Sequence, residues 1–326
     1  MLTFKEYLSI VNEAISNIKY PQNPAGLYEP IAYTMALGGK RLRPILALMA
    51  YEAFSGKALK EDIISPAVGI EMFHNFTLLH DDVMDKAPIR RGKPTVHVKW
   101  DESTAIISGD AMLTMATQLA AKAPALYIEK ALELFNTTAM EIYEGQQYDM
   151  DFESRSDVTA DEYISMIRLK TSVLLGCGCK MGALIAGASE NNCKLIYDFG
   201  VNLGLAFQLQ DDLLDVYGDS NTFGKAIGGD ILNNKKTYLL INALNKAEGK
   251  DVAELALWIN AQSPNKEVKI AAVTAIYNRL GIKGLTEKAI SNYLDKAIDT
   301  LNSIELSKDA HNAFHEFVDM LMNRTK

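Results

Sequence analysis

The chain has 326 residues, of which 48% are apolar, and it carries a formal net charge of −8 at pH 7. This acidic balance argues against nucleic acid as the main partner, because nucleic-acid-binding proteins collect Lys and Arg on their surface. The apolar fraction is sufficient for a sizeable core, and no stretch contains the roughly 18 uninterrupted apolar residues that a membrane span requires. We therefore expect a soluble protein with no membrane span and no nucleic-acid partner.

The N-terminal segment and the cysteines favour the cytoplasm. Residues 1–7 resemble the start of an amphipathic helix with charges inside it, and do not resemble a signal peptide. Cys177, Cys179 and Cys193 are odd in number and match no zinc-ligand spacing. We interpret them as buried free thiols in a reducing compartment.

The proline distribution predicts an all-α fold. Only nine prolines occur, and none lies between Pro124 and Pro264, so long helices can run through that span. No segment alternates polar and apolar residues as a strand would, and no Asn-Gly or Asp-Gly hairpin signal joins two such segments. Because no linker separates domains, we predict that residues 1–326 form a single domain, a bundle of long helices around a central apolar cavity.

The first part of the chain contains a possible anion site. A helix is predicted over residues 1–20, and a connection rich in proline then leads to Gly38-Gly39-Lys40-Arg41-Leu42-Arg43 and an apolar helix, Ile45 to Phe54. Glycine backbone N–H groups and neighbouring cations can bind one anion, although a solvated turn explains the same residues. Ser65-Pro66 then predicts an N-cap and the first residue of the next helix.

That helix ends in three aspartates that suit a metal. Asp81 and Asp85 are four residues apart, about 40° around an α-helix, with Asp82 beside them. Because like charges this close disfavour the helix, they need a compensating cation, and hard carboxylate oxygens suit Mg²⁺. A solvated acidic helix end is the alternative. His74 lies about two turns earlier on nearly the same face and is either a ligand contact or an ordinary helix residue.

Cations follow these aspartates directly. They are Lys86, Arg90, Arg91 and Lys93. They either form plain salt bridges or bind a phosphate that the same metal holds. Further on, we interpret Asp110 as the N-cap of another helix.

The aspartate spacing recurs 130 residues later. After helices predicted from Tyr127 to Asp149 and from Asp161, a helix from Lys194 to Tyr217 contains Asp211, Asp212 and Asp215. A Gly-rich, basic loop with Gly224-Lys225 and Lys235 follows. Two facing aspartate triads with interleaved Arg and Lys can hold several Mg²⁺ ions against a diphosphate, whose departure from an activated ester leaves a carbocation. The residues alone therefore predict Mg²⁺, diphosphate and an apolar cavity.

These motifs resemble the trans (head-to-tail) isoprenyl diphosphate synthases over nearly the whole chain. The elements that carry the resemblance, in order, are Gly38-Gly39-Lys40-Arg41-Leu42-Arg43-Pro44, His80-Asp81-Asp82-Val83-Met84-Asp85 with Arg90-Arg91-Gly92, Lys170-Thr171, Phe207-Gln208-Leu209-Gln210-Asp211-Asp212-Leu213-Leu214-Asp215, and Gly224-Lys225. One departure is Asn234, which stands where the family often has glycine before Lys235. The resemblance implies an isoprenoid-synthase fold, a homodimer, and condensation of isopentenyl diphosphate with an allylic diphosphate.

The resemblance also implies the role of each residue. It assigns two Mg²⁺ ions to Asp81, Asp82 and Asp85 and a third to Asp211, supported by Asp212 and Asp215. It assigns the allylic diphosphate to Arg90, Lys170, Lys225 and Lys235, the region of the allylic cation to Thr171 and Gln208, and the diphosphate of isopentenyl diphosphate to Lys40, Arg43, His74 and Arg91. The Lys225–Lys236 loop and the basic terminus (Arg324, Lys326) would help to close the site.

Residues before the first triad predict the product length. A side chain one turn or so before Asp81 stands roughly 6–8 Å along the growing chain and can act as a floor. Phe76 at five before and Thr77 at four resemble geranylgeranyl synthases of archaeal type, and Phe73 can add a second barrier. We therefore predict a twenty-carbon product, with farnesyl or longer polyprenyl diphosphates as alternatives. An ordinary core phenylalanine is the other interpretation of Phe76.

Two competing functions remain at this stage. A class I terpene cyclase ionises a prenyl diphosphate with one such motif, but it usually pairs that motif with an Asn/Ser/Glu metal motif. A non-catalytic partner subunit that binds prenyl diphosphate would be expected to lose aspartates, whereas all six are present.

Overall fold

The computed structural model describes residues 1–218 and 227–323. These residues form helices almost throughout, which confirms the predicted all-α class. The chain divides into two compact units, and the prediction of a single domain therefore stays a prediction. Unit 1 comprises Met1–Thr138, Leu174–Tyr197 and Ile304–Ala313, and unit 2 comprises Ala139–Val173, Asp198–Ser303 and Phe314–Lys326.

The helices of the first half include those that carry the first aspartate triad and the predicted cation sites. They are α1 (Phe4–Ser16), α2 (Ala25–Ala36), α3 (Leu42–Ser55), α4 (Glu61–Met84), α5 (Val96–Lys99), α6 (Glu102–Ala120) and α7 (Ile128–Ser154). The helices that follow are α8 (Ala160–Ile167), a five-residue π-helical segment (Arg168–Ser172, the π turn), α9 (Val173–Ala186), α10 (Glu190–Tyr217), α11 (Gly229–Leu232), α12 (Tyr238–Lys246), α13 (Lys250–Asn260), α14 (Lys266–Arg279), α15 (Ile282–Asn302) and α16 (Lys308–Met322).

Capping side chains fix two of the helix starts. The hydroxyl of Thr3 accepts from the backbone N–H of Glu6, whose carboxylate accepts from the N–H of Thr3 in return. Thr159 and Glu162 repeat this capping box at the start of α8. Each pair satisfies two backbone donors that the first helical turn leaves without partners.

The start of α4 was predicted wrongly. The helix begins at Glu61, so Ser65 and Pro66 lie inside it. Glu61 and Asp62 place negative charge in the first turn, where the helix dipole favours it. Pro66 removes one intrahelical hydrogen bond, while the Ser65 hydroxyl donates to Glu61 at 2.5 Å.

The interpretation of Asp110 as an N-cap is also wrong. Helix α6 begins eight residues earlier, where Asp101 caps it by accepting from the N–H of Thr104 at 2.8 Å. Gly109 lies in the middle of this helix because α4 passes close to it: a Cβ atom at Gly109 would stand 2.2 Å from Nε2 of His80. This glycine therefore marks close helix packing and not a helix boundary.

A short hairpin follows α4, although no strand was expected. Strand β1 (Ile89–Arg90) pairs antiparallel with β2 (Lys93–Pro94). The two residues between them, Arg91 and Gly92, have φ values of 50° and 74°. Positive φ at both central positions is typical of a type I′ hairpin turn, which Asn-Gly or Asp-Gly more commonly forms. Arginine at this position hid the turn from the sequence analysis.

Each unit contains its own buried apolar residues. In unit 1, Phe73 lies edge-on to Phe135, with ring centroids 5.4 Å apart. In unit 2, residues of α10 to α15 form a cluster that includes Leu239, Ile276 and Tyr277.

One helical segment, Ala160–Ala186, is apolar and long enough to cross a membrane by length and composition, but 72% of its most apolar window is buried, as in the core helices of soluble proteins.

Candidate active site

The three aspartates at the end of α4, which form the first aspartate cluster, differ in their exposure to solvent. Asp82 is buried, Asp81 is half-buried, and Asp85 is exposed as the C-cap of the helix. The N–H of Lys86 bonds to the carbonyl of Val83, and that of Ala87 to the carbonyl of Asp82. This is a Schellman motif with Lys86 in the left-handed conformation, and it turns the chain sharply toward the hairpin.

The hairpin places Arg90 against Asp82. The Nε of Arg90 donates to both carboxylate oxygens of Asp82, at 2.9 and 2.8 Å. Burial raises the pKa of Asp82 above its usual value, and the hydrogen bonds and charge of Arg90 partly offset this effect. Arg90 therefore links the first aspartate cluster to the cations that follow it.

The turn of the hairpin presents Arg91 to the glycine loop. Its guanidinium donates to the carbonyl of Gly38. A Cβ atom at Gly39 would stand 3.0–3.1 Å from the guanidinium, and Gly39 has a φ of 134°, which glycine adopts without strain. The glycine-rich loop predicted to bind an anion is thus in contact with a predicted diphosphate ligand.

A buried ion pair that the sequence analysis missed supports the same loop. Arg41 lies at the start of α3 with a φ of 51°, and its Nη1 donates to Glu71 Oε1 at 2.8 Å. Its Nη2 donates to the carbonyl of Met35 at 2.7 Å. Asn75 donates to the same Glu71 oxygen at 3.2 Å. A lone glutamate in the apolar run of α4 was the available signal, because a buried carboxylate requires a partner.

Positive charge accumulates around His74. Burial and the charges of Arg43, Arg91, Arg90 and Arg41 hold the pKa of His74 well below its usual value, so the ring is neutral at pH 7. Burial likewise lowers the pKa of Arg43 to about 10, and its buried Nε has no hydrogen-bond partner. The structure thus brings together these predicted diphosphate ligands, with Lys40 exposed on the adjoining loop.

The predicted chain-length residues lie on α4 in unit 1. Phe73 and Phe76 are buried, and their ring centroids are 5.5 Å apart. Phe76 also stands edge-on to His80 at 4.8 Å. Thr77 is half-buried, and its hydroxyl donates to the carbonyl of His74 at 2.8 Å. Their role as a floor stays a prediction.

The second aspartate cluster lies near the end of α10 in unit 2. Asp212 is buried and accepts hydrogen bonds from Tyr163 Oη and, at 3.0 Å, from Gln208 Nε2. Burial and the nearby charge of Asp230 raise the pKa of Asp212 to about 7. Asp211 is half-buried, and Asp215 accepts from the N–H of Asp230 at 3.0 Å. Tyr163 and Asp230 were not predicted, since they approach the cluster only through the tertiary fold.

Lys170 pairs with an aspartate that the sequence analysis missed. Its Nζ donates to Asp149 Oδ2 at 2.6 Å. Burial would raise the pKa of Asp149, but the charges of Lys235 and Lys170 hold it below its usual value. The carboxylate of Asp149 therefore interacts electrostatically with two predicted diphosphate ligands of unit 2, Lys170 and Lys235.

Thr171, the neighbour of Lys170, points to the second cluster. Its hydroxyl donates to Gln208 Oε1 at 3.3 Å, and the amide of Gln208 continues to Asp212. Both Lys170 and Thr171 lie in the π turn. Lys170, Thr171 and Gln208 thus lie together in unit 2, and their roles toward the allylic substrate stay a prediction.

The loop after α10 is only partly described. Gly224, Lys225, Arg324 and Lys326 lie outside the described residues. Asn234, where the family often has glycine, adopts a left-handed φ of 51° that asparagine tolerates better than most residues. Its side-chain amide donates to the carbonyl of Ile259 at 2.9 Å, and its side-chain oxygen accepts from Lys269 at 2.7 Å.

The donor atoms in both clusters suit magnesium. Among residues 1–218 and 227–323, no three His, Cys, Asp or Glu side chains are grouped closely enough to hold a metal ion. Mg²⁺ does not need such a cage, because it usually takes one or two protein carboxylates and completes its octahedron with water and substrate phosphate. Asp81 and Asp85, one helical turn apart, and the half-buried Asp211 meet that requirement.

The chain is similar to known proteins over most of its length. Residues 24–277 match the family profile described as Polyprenyl synthetase. A geranylgeranyl diphosphate synthase from Sulfolobus acidocaldarius is 38% identical over 94% of this chain and 92% of its own length. A geranylfarnesyl diphosphate synthase from Natronomonas pharaonis is 38% identical over 82% of each chain. The crystal structure of a geranylgeranyl pyrophosphate synthase superimposes with a TM-score of 0.94, at 44% identity, over 100% of both chains.

Proposed function

Because this chain belongs to the polyprenyl synthetase family, the trans-isoprenyl diphosphate synthases, and is a prenyltransferase, we propose that it condenses isopentenyl diphosphate head-to-tail with an allylic diphosphate to give geranylgeranyl diphosphate. The observation that carries this proposal is that each unit contains its own cationic group beside an aspartate cluster. One group surrounds His74 in unit 1, and the other contains Lys170 in unit 2. A cyclase, which takes a single prenyl diphosphate, needs only one.

In unit 1, the cations around His74 form the site for isopentenyl diphosphate. Arg43 has a buried Nε without a partner, and Arg91 is held at the glycine loop. A diphosphate would supply acceptors to both guanidinium groups, and Arg suits it because its planar fork matches phosphate oxygens. Lys40 and His74 complete this set.

Lys170, together with Arg90 and Lys225, binds the allylic diphosphate, and Lys235 assists them. The allylic C–O bond breaks, the isopentenyl double bond attacks the resulting cation, and a proton is then lost to the departing pyrophosphate. Thr171 Oγ1 and Gln208 Oε1 place partial negative charge where that cation develops.

Magnesium, when bound, neutralises the charge that develops on the leaving diphosphate. Asp81, Asp82 and Asp85 would hold it in unit 1, and Asp211 in unit 2, supported by Asp212 and Asp215. Three ions per active site is the number that the resemblance implies. Arg90 Nε donates to both carboxylate oxygens of Asp82 and thereby fixes the orientation of this carboxylate.

The twenty-carbon product rests on Phe76, whose buried ring five residues before Asp81 would stop chain growth, with Phe73 packed behind it. Farnesyl or longer products are the alternatives.

The enzyme is proposed to be a cytoplasmic homodimer. No disulfide joins its three buried cysteines, and α6 exposes large apolar side chains at Ile106 and Ile107 that a second copy can cover.

The test is incubation with Mg²⁺, isopentenyl diphosphate and allylic primers of five, ten or fifteen carbons, followed by measurement of product length. A single twenty-carbon product supports the proposed reaction and Phe76 as the floor. Products of thirty carbons or more would keep the reaction but reject Phe76 as the floor. Absence of condensation by folded protein with every primer would reject the synthase and favour the partner-subunit or the cyclase alternative.

A further inference from the structure

The π turn that carries Lys170 and Thr171 interrupts an otherwise α-helical segment. It spans Arg168–Ser172, and the N–H of Val173 returns to the carbonyl of Arg168, five residues back. Single π turns inside α-helices are uncommon and occur frequently at functional sites. Because π-helical backbone is less favourable than α-helical backbone, contacts with neighbouring helices must stabilise this turn.

Helix α7 approaches this turn at a glycine. A Cβ atom on the buried Gly145 would lie 2.3 Å from the backbone N of Lys170 and 2.8 Å from its Cα. These are backbone atoms, so the turn itself would have to move to accommodate a methyl group. One helical turn beyond Gly145 on α7, Asp149 accepts from Lys170 Nζ at 2.6 Å.

Helix α10 repeats this arrangement on Ser172. A Cβ atom on the buried Gly204 would lie 2.7 Å from Cα and 2.8 Å from Cβ of Ser172. One helical turn beyond Gly204, Gln208 accepts from Thr171 Oγ1 at 3.3 Å. On each helix, a glycine thus contacts the backbone of the turn, and the residue four positions later holds a side chain that the turn carries.

We propose that Gly145 and Gly204 are positioning residues that determine how closely the π turn approaches α7 and α10. They thereby set the location of Lys170 Nζ and Thr171 Oγ1 for the allylic diphosphate. This inference rests on the proposed function. A side chain at either glycine would displace the turn while the partners on the same helices stay in place. Displacements of about 1 Å at groups that position a substrate can cost on the order of 100-fold in rate.

The primary test is Gly145→Ala, with steady-state kinetics for each substrate separately. We expect kcat/KM for the allylic diphosphate to fall roughly 10- to 100-fold, while KM for isopentenyl diphosphate changes less than twofold. Gly204→Ala should behave in the same way. Since alanine is the better helix former, intrinsic propensity alone would make both changes stabilising.

Two control variants separate positioning from general packing. Gly284→Ala is a helical site in unit 2 where an added Cβ meets nothing within 4 Å, and it should leave the kinetics unchanged. Gly182→Ala places a Cβ 2.0 Å from the carbonyl of Ala47 in unit 1, and it should lower the melting temperature without a selective effect on the allylic substrate.

A double-mutant cycle tests whether Gly145 acts through Lys170. If it does, adding Gly145→Ala to Lys170→Met should cause little further loss, because the group that it positions is already absent. Unchanged allylic kinetics in folded Gly145→Ala and Gly204→Ala, or fully additive losses with Lys170→Met, would overturn the inference. Failure of both glycine variants to fold would assign these residues to the fold and reject the positioning role.

Wild-type activity distinguishes the two proposals. An active wild-type enzyme with unaltered glycine variants removes only this inference. Wild-type protein that is folded but inactive with every primer removes the proposed function, and this inference with it.

Discussion

Lys170 Nζ donates to Asp149 Oδ2 at 2.6 Å, so the lysine predicted to bind a diphosphate already has a carboxylate partner. Lys235 contributes further positive charge to the same aspartate. Asp149→Asn removes the negative charge that pairs with Lys170 and should therefore lower the free energy of unfolding by about 1–3 kcal/mol. Thermal unfolding of the variant beside the wild type measures this loss.

Inorganic pyrophosphate provides the control for Asp149→Asn. Its charge can replace the lost carboxylate, so the difference in melting temperature between variant and wild type should shrink when pyrophosphate and Mg²⁺ are present. An equal difference with and without pyrophosphate would show that Lys170 does not bind the anion.

Phe76→Ala should lengthen the product beyond twenty carbons. The ring is buried on α4 and packs against Phe73, so its removal opens space before Asp81. Adding Phe73→Ala should lengthen the product further, because the second ring then no longer blocks growth. Chromatography of the dephosphorylated products measures both effects.

Phe135→Ala is the matched control for Phe76→Ala. Phe135 belongs to the same aromatic cluster, at 5.4 Å from Phe73, but it comes from α7. Its removal should cost about 3–5 kcal/mol of stability and leave product length unchanged. Unaltered product length in Phe76→Ala would make Phe76 an ordinary core residue.

Glu71→Gln should strongly destabilise the protein. Both side chains of the Arg41–Glu71 pair are nearly fully buried, at 2% and 3% exposure, so the variant leaves a buried guanidinium without its counter-charge. We expect a loss of about 3–5 kcal/mol in urea unfolding. Glu190→Gln breaks an exposed pair with Lys130 and should cost at most about 1 kcal/mol. Similar losses in the two variants would contradict this assignment.

The features that the sequence predicted correctly are those that short-range spacing determines. The all-α class followed from the proline-free span, and the carboxylates of Asp81 and Asp85 fall one turn apart because four residues nearly complete a helical turn. The family membership and the enzyme class are likewise confirmed by the comparisons.

The features that it missed depend on contacts between distant segments. Asp149 and Lys170 are 21 positions apart in the sequence, and Tyr163 and Asp212 are 49 positions apart. No local sequence pattern therefore predicts either pair. Pro66 was mistaken for a helix start because a proline in the second turn of a buried helix violates the usual preference, and tertiary packing overrides it. Arg91 concealed a hairpin turn that glycine or asparagine normally marks.

The low pKa of His74 predicts that the protein loses stability in mild acid. Burial and four neighbouring arginines prevent the folded state from taking up a proton that the unfolded chain binds near pH 6.5. The contribution of His74 is therefore fully present above pH 7 and is lost as pH falls below 6.5, by about 1 kcal/mol between pH 6.5 and 5.5.

Urea unfolding of wild type and His74→Gln should give a difference in free energy that declines over this range. Pyrophosphate bound beside the arginines should favour the protonated ring and flatten the decline. Parallel curves for the two proteins at all three pH values, 5.5, 6.5 and 7.5, would contradict a neutral His74 in the folded state.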